Sequence, residues 1–120
     1  MVGCGGNCGV VTSGSAPAAT GCLLLTDGAL AVAADNQGHY ETSMSSGLFG
    51  TDATLKVDFG YKSEHQLAVV AEDIIQRFYG RSVTHSSYDG CSHGGYEALT
   101  EAQRYPTHFD GIVAGAPANN

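Results

Sequence analysis

The sequence predicts an α/β fold in which a mostly parallel sheet is flanked by helices. Two continuous apolar runs, at residues 29–35 and from residue 111 onward, are typical of strands buried on both faces of a parallel sheet. Between these runs, the order of predicted elements is helix, strand, helix. Because parallel strands need crossover connections, this alternation places helices on the faces of the sheet.

The first part of the chain predicts two strand segments separated by loops. Residues 1–3 form an apolar stub that runs directly into a glycine-rich loop, so we interpret them as the end of a strand. Residues 29–35 predict the next strand, which ends in a polar loop. We expect the stub to lie between this strand and a later one at residues 82–89. Residues 40–58 have few apolar anchors and predict a long surface loop.

The segment from Ser63 to Gly80 predicts an amphipathic helix. Ser63 is a candidate N-cap, and Gly80 is a candidate stop. His65 falls on the polar side and is expected at the surface. The apolar residues recur at helical spacing, at positions 67, 70, 71, 74, 75 and 78.

The last third of the chain predicts a strand, a helix and a strand. The run from Ser82 to Asp89 has strand character, and the segment that starts at Ser92 is helical until Pro106 ends it. A second buried strand begins at Gly111. These three elements complete the α/β alternation.

Length and charge limit the classes of partner. The chain has 120 residues, which suits one domain or part of one. Twelve acidic and five basic side chains give a net charge of −7 without a basic cluster, so nucleic acid is not an expected partner. The apolar runs, such as Cys22 to Leu25 and residues 29–34, are far shorter than the roughly 20 residues that cross a bilayer. The start of the chain also lacks a signal-peptide pattern, so no membrane partner is expected.

The cysteines do not predict a zinc site. Cys4, Cys8, Cys22 and Cys91 are spaced unlike the paired CxxC ligands of zinc proteins. Two interpretations remain open at this point. The cysteines form disulfides in an oxidising compartment, or they are buried free thiols that pack as small apolar residues.

A serine between glycines, in "GCSHGG" at residues 90–95, lies between the predicted strand and helix. A strand, a tight turn and a helix are the context of a nucleophile elbow, with Ser92 as the nucleophile at the helix N-terminus. The His93 amide is the candidate first oxyanion donor, and its side chain is expected to be incidental. The alternative is that Ser92 is an ordinary N-cap. Close backbone approach would require small residues at Gly90, Gly94 and Gly95.

The glycine-rich loop after the N-terminal stub is the candidate source of a second oxyanion donor. In enzymes with a nucleophile elbow, the second oxyanion donor comes from a loop after an earlier strand. The candidates are the backbone amides of Cys4, Gly5 and Gly6. The alternative is an ordinary flexible turn.

Several segments together resemble the tannase and feruloyl esterase family of α/β-hydrolases. In that family the nucleophile lies in a Cys-Ser-x-Gly-Gly elbow, which Cys91 to Gly95 match. The resemblance implies a partial α/β-hydrolase core that hydrolyses carboxylic esters of aromatic acids, such as ferulate or gallate esters, through a serine acyl-enzyme. It also implies a small-molecule aromatic ester as partner and a secreted protein. The segments that carry it are "VGCGGNCG", "DNQGH", "DFGYKSEH", "FYG", "GCSHGGYEAL" and "EAQRYPTHFDGIVAGAPANN".

The chain also departs from the family pattern. The family's Asp-x-Gly-His loop is only approximated, because Asp35 stands one place too early relative to His39. The family's cysteine partner for Cys91, its catalytic Asp and His, and its lid domain with a calcium site would all follow Asn120. Residues 1–120 are therefore expected to be part of a single catalytic domain, with no cofactor or metal site in this chain.

The residues present do not predict a complete catalytic triad. The helix after Ser92 carries His108 and Asp110 to the opposite end of the sheet, and His85 would be roughly 23 Å away along an extended strand at about 3.3 Å per residue. A dyad of Ser92 with His39 is the remaining local option; the alternative is that His39 lines the loop and hydrogen-bonds backbone. We therefore expect little activity from this chain alone. A non-catalytic binding or structural module derived from the same core is the alternative function.

Overall fold

The computed structural model describes residues 1–11, 31, 33–43 and 45–118. A 3-10 turn at Leu48–Thr51 and a π-helical turn at Asp58–Lys62 accompany the regular elements. The helices and strands are α1 (Ala53–Val57), α2 (Ser63–Tyr79), β1 (Ser87–Cys91), α3 (His93–Arg104) and β2 (Gly111–Gly115).

The core of the fold is a β1–α3–β2 unit with a parallel pair of strands. The register runs from Ser87 opposite Gly111 to Cys91 opposite Gly115. Helix α3 is the crossover and packs against both strands. This confirms the predicted α/β arrangement, with a helix joining parallel strands as the geometry of such pairs requires.

The N-terminal stub adds a third member to this sheet, as predicted. Val2 forms a parallel bridge with Asp89, whose carbonyl accepts from the Gly3 amide at 3.0 Å. On its other side, the Val2 amide donates to the carbonyl of Ala33 at 3.1 Å. The stub therefore lies between residue 33 and β1. Of the predicted strand at 29–35, residues 31 and 33–35 are described and have no strand assignment, and the rest lies outside the described residues.

The predicted strand at 82–89 is wrong at its start. Strand β1 begins at Ser87 and continues through Cys91, because β2 supplies a partner along that whole length. Ser86, just before β1, instead forms hydrogen bonds with the loop that precedes β2. Its amide donates to Asp110 Oδ2 at 2.8 Å, and its hydroxyl donates to the His108 carbonyl at 2.9 Å.

The predicted loop at 40–58 and the predicted N-cap at Ser63 are also wrong. Asp52 is the N-cap, since its Oδ1 accepts from the amides of Thr54 at 2.7 Å and Leu55 at 3.2 Å. Helix α1 then continues through the π-helical turn into α2. Ser63 therefore lies inside a long helix, and its hydroxyl donates to the Asp58 carbonyl at 2.9 Å. Gly80 ends the helix in the left-handed conformation, as predicted.

Much of the apolar face of α2 is exposed in the part of the chain that the structure describes. Val70, Ile74 and Phe78 are 54%, 58% and 78% exposed. The buried residues of α2 are Ser63, Glu64 and Ala68, near its start, where it meets the β1–α3–β2 unit. Among the described residues, no helix combines the length and the apolar character needed to cross a membrane.

Candidate active site

Ser92 occupies a strained turn between β1 and α3. Its backbone has φ 60° and ψ −117°, a region that non-glycine residues rarely adopt. The residue is exposed, and its side chain makes no capping hydrogen bond, so Ser92 is not the ordinary N-cap considered above. The turn instead presents the hydroxyl at the carboxyl edge of the strands, where ligands bind in parallel sheets.

Backbone hydrogen bonds hold this turn on both sides. The Ser92 amide donates to the Gly115 carbonyl at 3.0 Å, which ties the turn to the end of β2. The Ser92 carbonyl accepts from the amides of Tyr96 at 3.2 Å and Ala118 at 3.0 Å. Because neighbouring segments fix the peptides on either side of Ser92, its strained conformation can persist.

The close backbone approach predicted at the three glycines is present. A Cβ atom at Gly90 would overlap the backbone of Gly94, and one at Gly95 would overlap the carbonyl oxygen of Gly115. At Gly94 a Cβ would lie 3.1 Å from the carbonyl oxygen of Cys4. The turn therefore has room only for glycine at positions 90 and 95, and very little room at position 94.

The glycine-rich loop lies beside this turn, as the prediction of a second oxyanion donor requires. A Cβ at Gly3 would come within 2.6 Å of the Cα of Gly94. However, the Cys4 amide already donates to Glu97 Oε2 at 3.2 Å. The prediction of the Cys4 amide as an oxyanion donor is therefore wrong. The Gly5 and Gly6 amides remain the candidates in this loop.

His93 contributes more than its amide. As the first residue of α3, it has an amide without an intrahelical acceptor, which suits an oxyanion donor. Its side chain, expected to be incidental, is buried and stacks on Phe59 at a centroid distance of 4.3 Å. Burial, with a smaller contribution from His39, lowers the pKa of His93 to about 4. The ring is thus a neutral packing element that fixes the start of α3.

His39 is not placed to activate Ser92. Its Nδ1 lies 3.2 Å from the Gln37 carbonyl oxygen, and its Nε2 lies 2.9 Å from that of Asn7. Both ring nitrogens therefore face backbone acceptors, and neither is left to accept a proton from a serine. This supports the interpretation that His39 hydrogen-bonds backbone, here the backbone of its own loop and of the glycine-rich loop. Asp35 is a turn residue there, since its Oδ1 accepts from the Gln37 amide at 2.9 Å.

The other histidines lie at the opposite end of the sheet, as predicted for His85 and His108. Ser86, next to His85, bonds Asp110 and His108 at the amino end of β1, whereas Ser92 follows its carboxyl end. The prediction that His65 lies at the surface is wrong, because its ring stacks on the Tyr105 ring at a centroid distance of 3.6 Å. None of the described histidines is therefore a candidate base for Ser92.

A buried pair of glutamates, which the sequence does not predict, lies beneath the turn. The Tyr88 hydroxyl lies 3.0 Å from Glu64 Oε2 and 2.8 Å from Glu97 Oε2. One hydroxyl hydrogen can satisfy only one of them, so the other bond needs a protonated carboxyl that donates to the tyrosine oxygen. Burial raises the pKa of Glu97 to about 7 and that of Glu64 well above its usual range. The sequence carries no signal for this pair, because charged side chains are normally exposed.

The cysteines are divided between the two interpretations considered above. Cys4 and Cys8 form a disulfide that closes the glycine-rich loop. Cys91 is a free thiol among the described residues, and Cys22 lies outside them. The predicted disulfide of Cys91 with a further cysteine stays a prediction.

The chain as a whole is similar to solved structures. Feruloyl esterase B from Aspergillus oryzae aligns with a TM-score of 0.80 and 32% identity over 98% of this chain. Tannin acyl hydrolase from Aspergillus niger aligns with a TM-score of 0.66 and 25% identity over the same share. The model of the family described as tannase and feruloyl esterase matches residues 1–120. The chain belongs to the tannase and feruloyl esterase family. The predicted α/β-hydrolase core is thereby confirmed.

The curated relatives that this chain matches are much longer than the chain itself. Mono(2-hydroxyethyl) terephthalate hydrolase from Piscinibacter sakaiensis is 46% identical over 69 residues, which are 58% of this chain and 11% of that protein. The probable feruloyl esterase B-2 from Aspergillus flavus is 39% identical over 88 residues, or 73% of this chain and 16% of that protein. The chain also covers 22% of each of the two solved structures.

Proposed function

We propose that this chain forms the nucleophile-bearing part of a serine esterase that hydrolyses carboxylic esters of aromatic acids. The observation that carries the proposal is the strained Ser92 backbone between β1 and α3, with φ 60° and an exposed side chain. A serine in that conformation, held by close glycine contacts, is the geometry of a nucleophile elbow.

In the proposed reaction, Ser92 Oγ attacks the ester carbonyl and gives its proton to a base. The tetrahedral oxyanion is stabilised by the His93 amide, by the Gly5 or Gly6 amide, and by the N-terminal end of the α3 dipole. Collapse expels the alcohol, which takes up that proton, and leaves an acyl-serine. Water then cleaves the acyl-enzyme and releases the aromatic acid.

The base in this proposal comes from outside the described residues. His39 is engaged by two carbonyl oxygens, and His85 and His108 are at the other end of the sheet. We infer that a histidine, oriented by an acidic side chain, completes the site in the family's usual order of serine, acid and histidine. Residues 1–120 would then be part of a single catalytic domain.

The class of substrate is inferred from the relatives. Their names specify a feruloyl ester, a tannin acyl group and a terephthalate ester. The shared feature of the three is an aromatic acyl group, so we assign aromatic acid esters rather than one compound. The Cys4–Cys8 disulfide favours an oxidising compartment, which supports secretion.

A chimera tests the proposal directly. The chain replaces its aligned segment in feruloyl esterase B from Aspergillus oryzae, so that the remainder of that enzyme supplies the base. We expect fluorophosphonate labelling and hydrolysis of methyl ferulate. Ser92→Ala should lower the hydrolysis rate by roughly a thousandfold or more. The matched control, Ser82→Ala at an exposed serine, should leave the rate unchanged.

The alternative function is a non-catalytic binding module, and the lack of a base near Ser92 among the described residues favours it. It would be supported if a folded chimera hydrolysed no aromatic ester yet bound one in equilibrium dialysis. Labelling that persists in Ser92→Ala would refute the assignment of the nucleophile.

A further inference from the structure

Three side chains converge at the end of the molecule opposite Ser92. His65 comes from the start of α2, Glu101 from the last turn of α3, and His108 from the loop before β2. Each offers one atom that can ligate a metal, and these atoms lie within 4.8 Å of one another. Residues far apart in the sequence therefore form a single cluster of two imidazoles and one carboxylate.

Four polar atoms of this cluster are buried and make no hydrogen bond among the described residues. Glu101 is 1% exposed, and neither of its carboxylate oxygens accepts a hydrogen bond. The Nδ1 atoms of His65 and His108 also lack a hydrogen bond. Because buried polar atoms are nearly always hydrogen-bonded, four that are not, at a single point, indicate a missing ligand. A cation that accepts electron pairs from both rings and from the carboxylate would satisfy all three residues.

The surroundings orient the two rings for such a role. His108 Nε2 lies 3.5 Å from Glu72 Oε1, and its Nδ1 lies 3.8 Å from Glu101 Oε2. A proton on Nε2 that faces Glu72 leaves the Nδ1 lone pair directed at the cluster, as is usual for histidines that ligate metals. The His65 ring is held by its stacking on Tyr105.

We propose that His65, Glu101 and His108 bind a Zn²⁺ ion that ties α2 to the end of α3. Two imidazoles and one carboxylate form a known zinc ligand set, with water in the fourth position. Bonds of about 2.0–2.2 Å from zinc to nitrogen or oxygen would place the ligand atoms roughly 3.5 Å from one another. The three side chains therefore need to move only slightly closer together. A surface groove lined by Glu72 and His108 provides a path for the ion.

A second cluster, of Cys4, Cys8, His93 and Glu97, is a weaker candidate for zinc. Its two sulfur atoms are joined in a disulfide and so are not thiolates. Glu97 already accepts from the Cys4 amide and contacts Tyr88. The oxidised chain should therefore bind zinc at the cluster of His65, Glu101 and His108 and not at this second cluster.

The test is a zinc titration of the oxidised 120-residue chain after treatment with a chelator. We expect one Zn²⁺ per chain by calorimetry and by elemental analysis, and a melting temperature that rises with zinc concentration. Glu101→Gln and His108→Ala should each weaken binding by at least roughly tenfold, and Glu72→Gln should also weaken it, because it orients a ligand. His85→Ala, at an exposed histidine, is the matched control and should bind zinc normally.

The variants also distinguish the two clusters. Circular dichroism identifies variants that fail to fold, and Co²⁺ spectra of the folded chain should show nitrogen and oxygen ligands without a thiolate charge-transfer band. Absence of zinc binding by the wild-type chain overturns the proposal. Binding that survives Glu101→Gln and His108→Ala but is lost in His93→Ala also overturns it, in favour of the cysteine cluster.

Discussion

The Tyr88 hydroxyl lies 2.8 Å from Glu97 Oε2, and both residues are buried beneath the turn that carries Ser92. Strand β1 and helix α3 are thus joined by a polar contact in the interior. Glu64 faces the same hydroxyl from α2. Because two carboxyls share one hydroxyl, the protonation of this group is part of what holds the three elements together.

Stability should fall as pH rises through the titration of Glu97. Its pKa is raised from 4.5 to about 7 in the folded chain, so between these values the folded chain holds a proton that the unfolded chain has lost. This contribution is full below about pH 4.5 and is lost by about pH 7, with a total of up to about 3 kcal/mol. Urea unfolding at several pH values should show this fall in the wild type and a weaker fall in Glu97→Gln.

The titration of His93 has the opposite effect on stability. His93 is present in both the wild type and Glu97→Gln. Its pKa is lowered to about 4, so it adds stability as pH rises from there toward 6.5. Comparing the two proteins at each pH therefore reduces the contribution of His93, and the difference that remains reports Glu97 together with Glu64, whose pKa Glu97 raises. A difference between them that does not change with pH would contradict the raised pKa.

Gly90→Ala should destabilise the chain by about 2–4 kcal/mol. The added methyl group would overlap the Gly94 backbone, which cannot move without displacing the start of α3. The control is Gly60→Ala, where a Cβ meets nothing within 4 Å and the backbone is helical. That change should be neutral or stabilising by up to about 1 kcal/mol. Chemical denaturation measures both, and equal effects would show that the turn is not tightly packed.

Ser92→Gly should stabilise the chain by about 1 kcal/mol, because glycine adopts a positive φ without the cost that serine bears there. The same change should abolish hydrolysis in the chimera. Ser82→Gly serves as the control, since it removes an exposed serine without that strain. A Ser92→Gly protein less stable than the wild type would mean that the turn stores no strain.

Removing the disulfide should cost about 2 kcal/mol, a modest amount because the closed loop is short. The double change Cys4→Ser and Cys8→Ser tests this by thermal unfolding. Cys91→Ser, at the free thiol, is the comparison and should have a smaller effect. Equal melting temperatures for the double variant and the wild type would indicate that the loop is held by its hydrogen bonds instead.

Local sequence signals predicted the turn well. The glycines at 90, 94 and 95 specify close backbone approach, and the serine between them follows from the same pattern. The stub at residues 1–3 was also placed correctly, because apolar residues before a glycine-rich loop are typical of a strand end. These features depend on residues adjacent in sequence, where backbone sterics decide the outcome.

Features that depend on tertiary contacts were not predicted. The start of the long helix was placed at Ser63, because the cap at Asp52 stands among polar residues that resemble a loop. The burial of Glu64, Glu97 and Glu101 could not be inferred, since charged residues are normally exposed and only the packing of α2, α3 and β1 buries these three. The His65–Glu101–His108 cluster likewise exists only after three elements come together.

The pairing of Val2 with Asp89 also bears on the order in which the molecule forms. During synthesis, residues 1–3 leave the ribosome long before residues 87–91 are made. The Val2 amide can bond Ala33 early, but pairing with β1 waits until that strand exists and then closes a very long loop, which is a slow and entropically costly step. The loop with Gly5 and Gly6 is attached to residues 1–3. The loop proposed to supply the second oxyanion donor therefore reaches its place beside Ser92 only after β1 has formed.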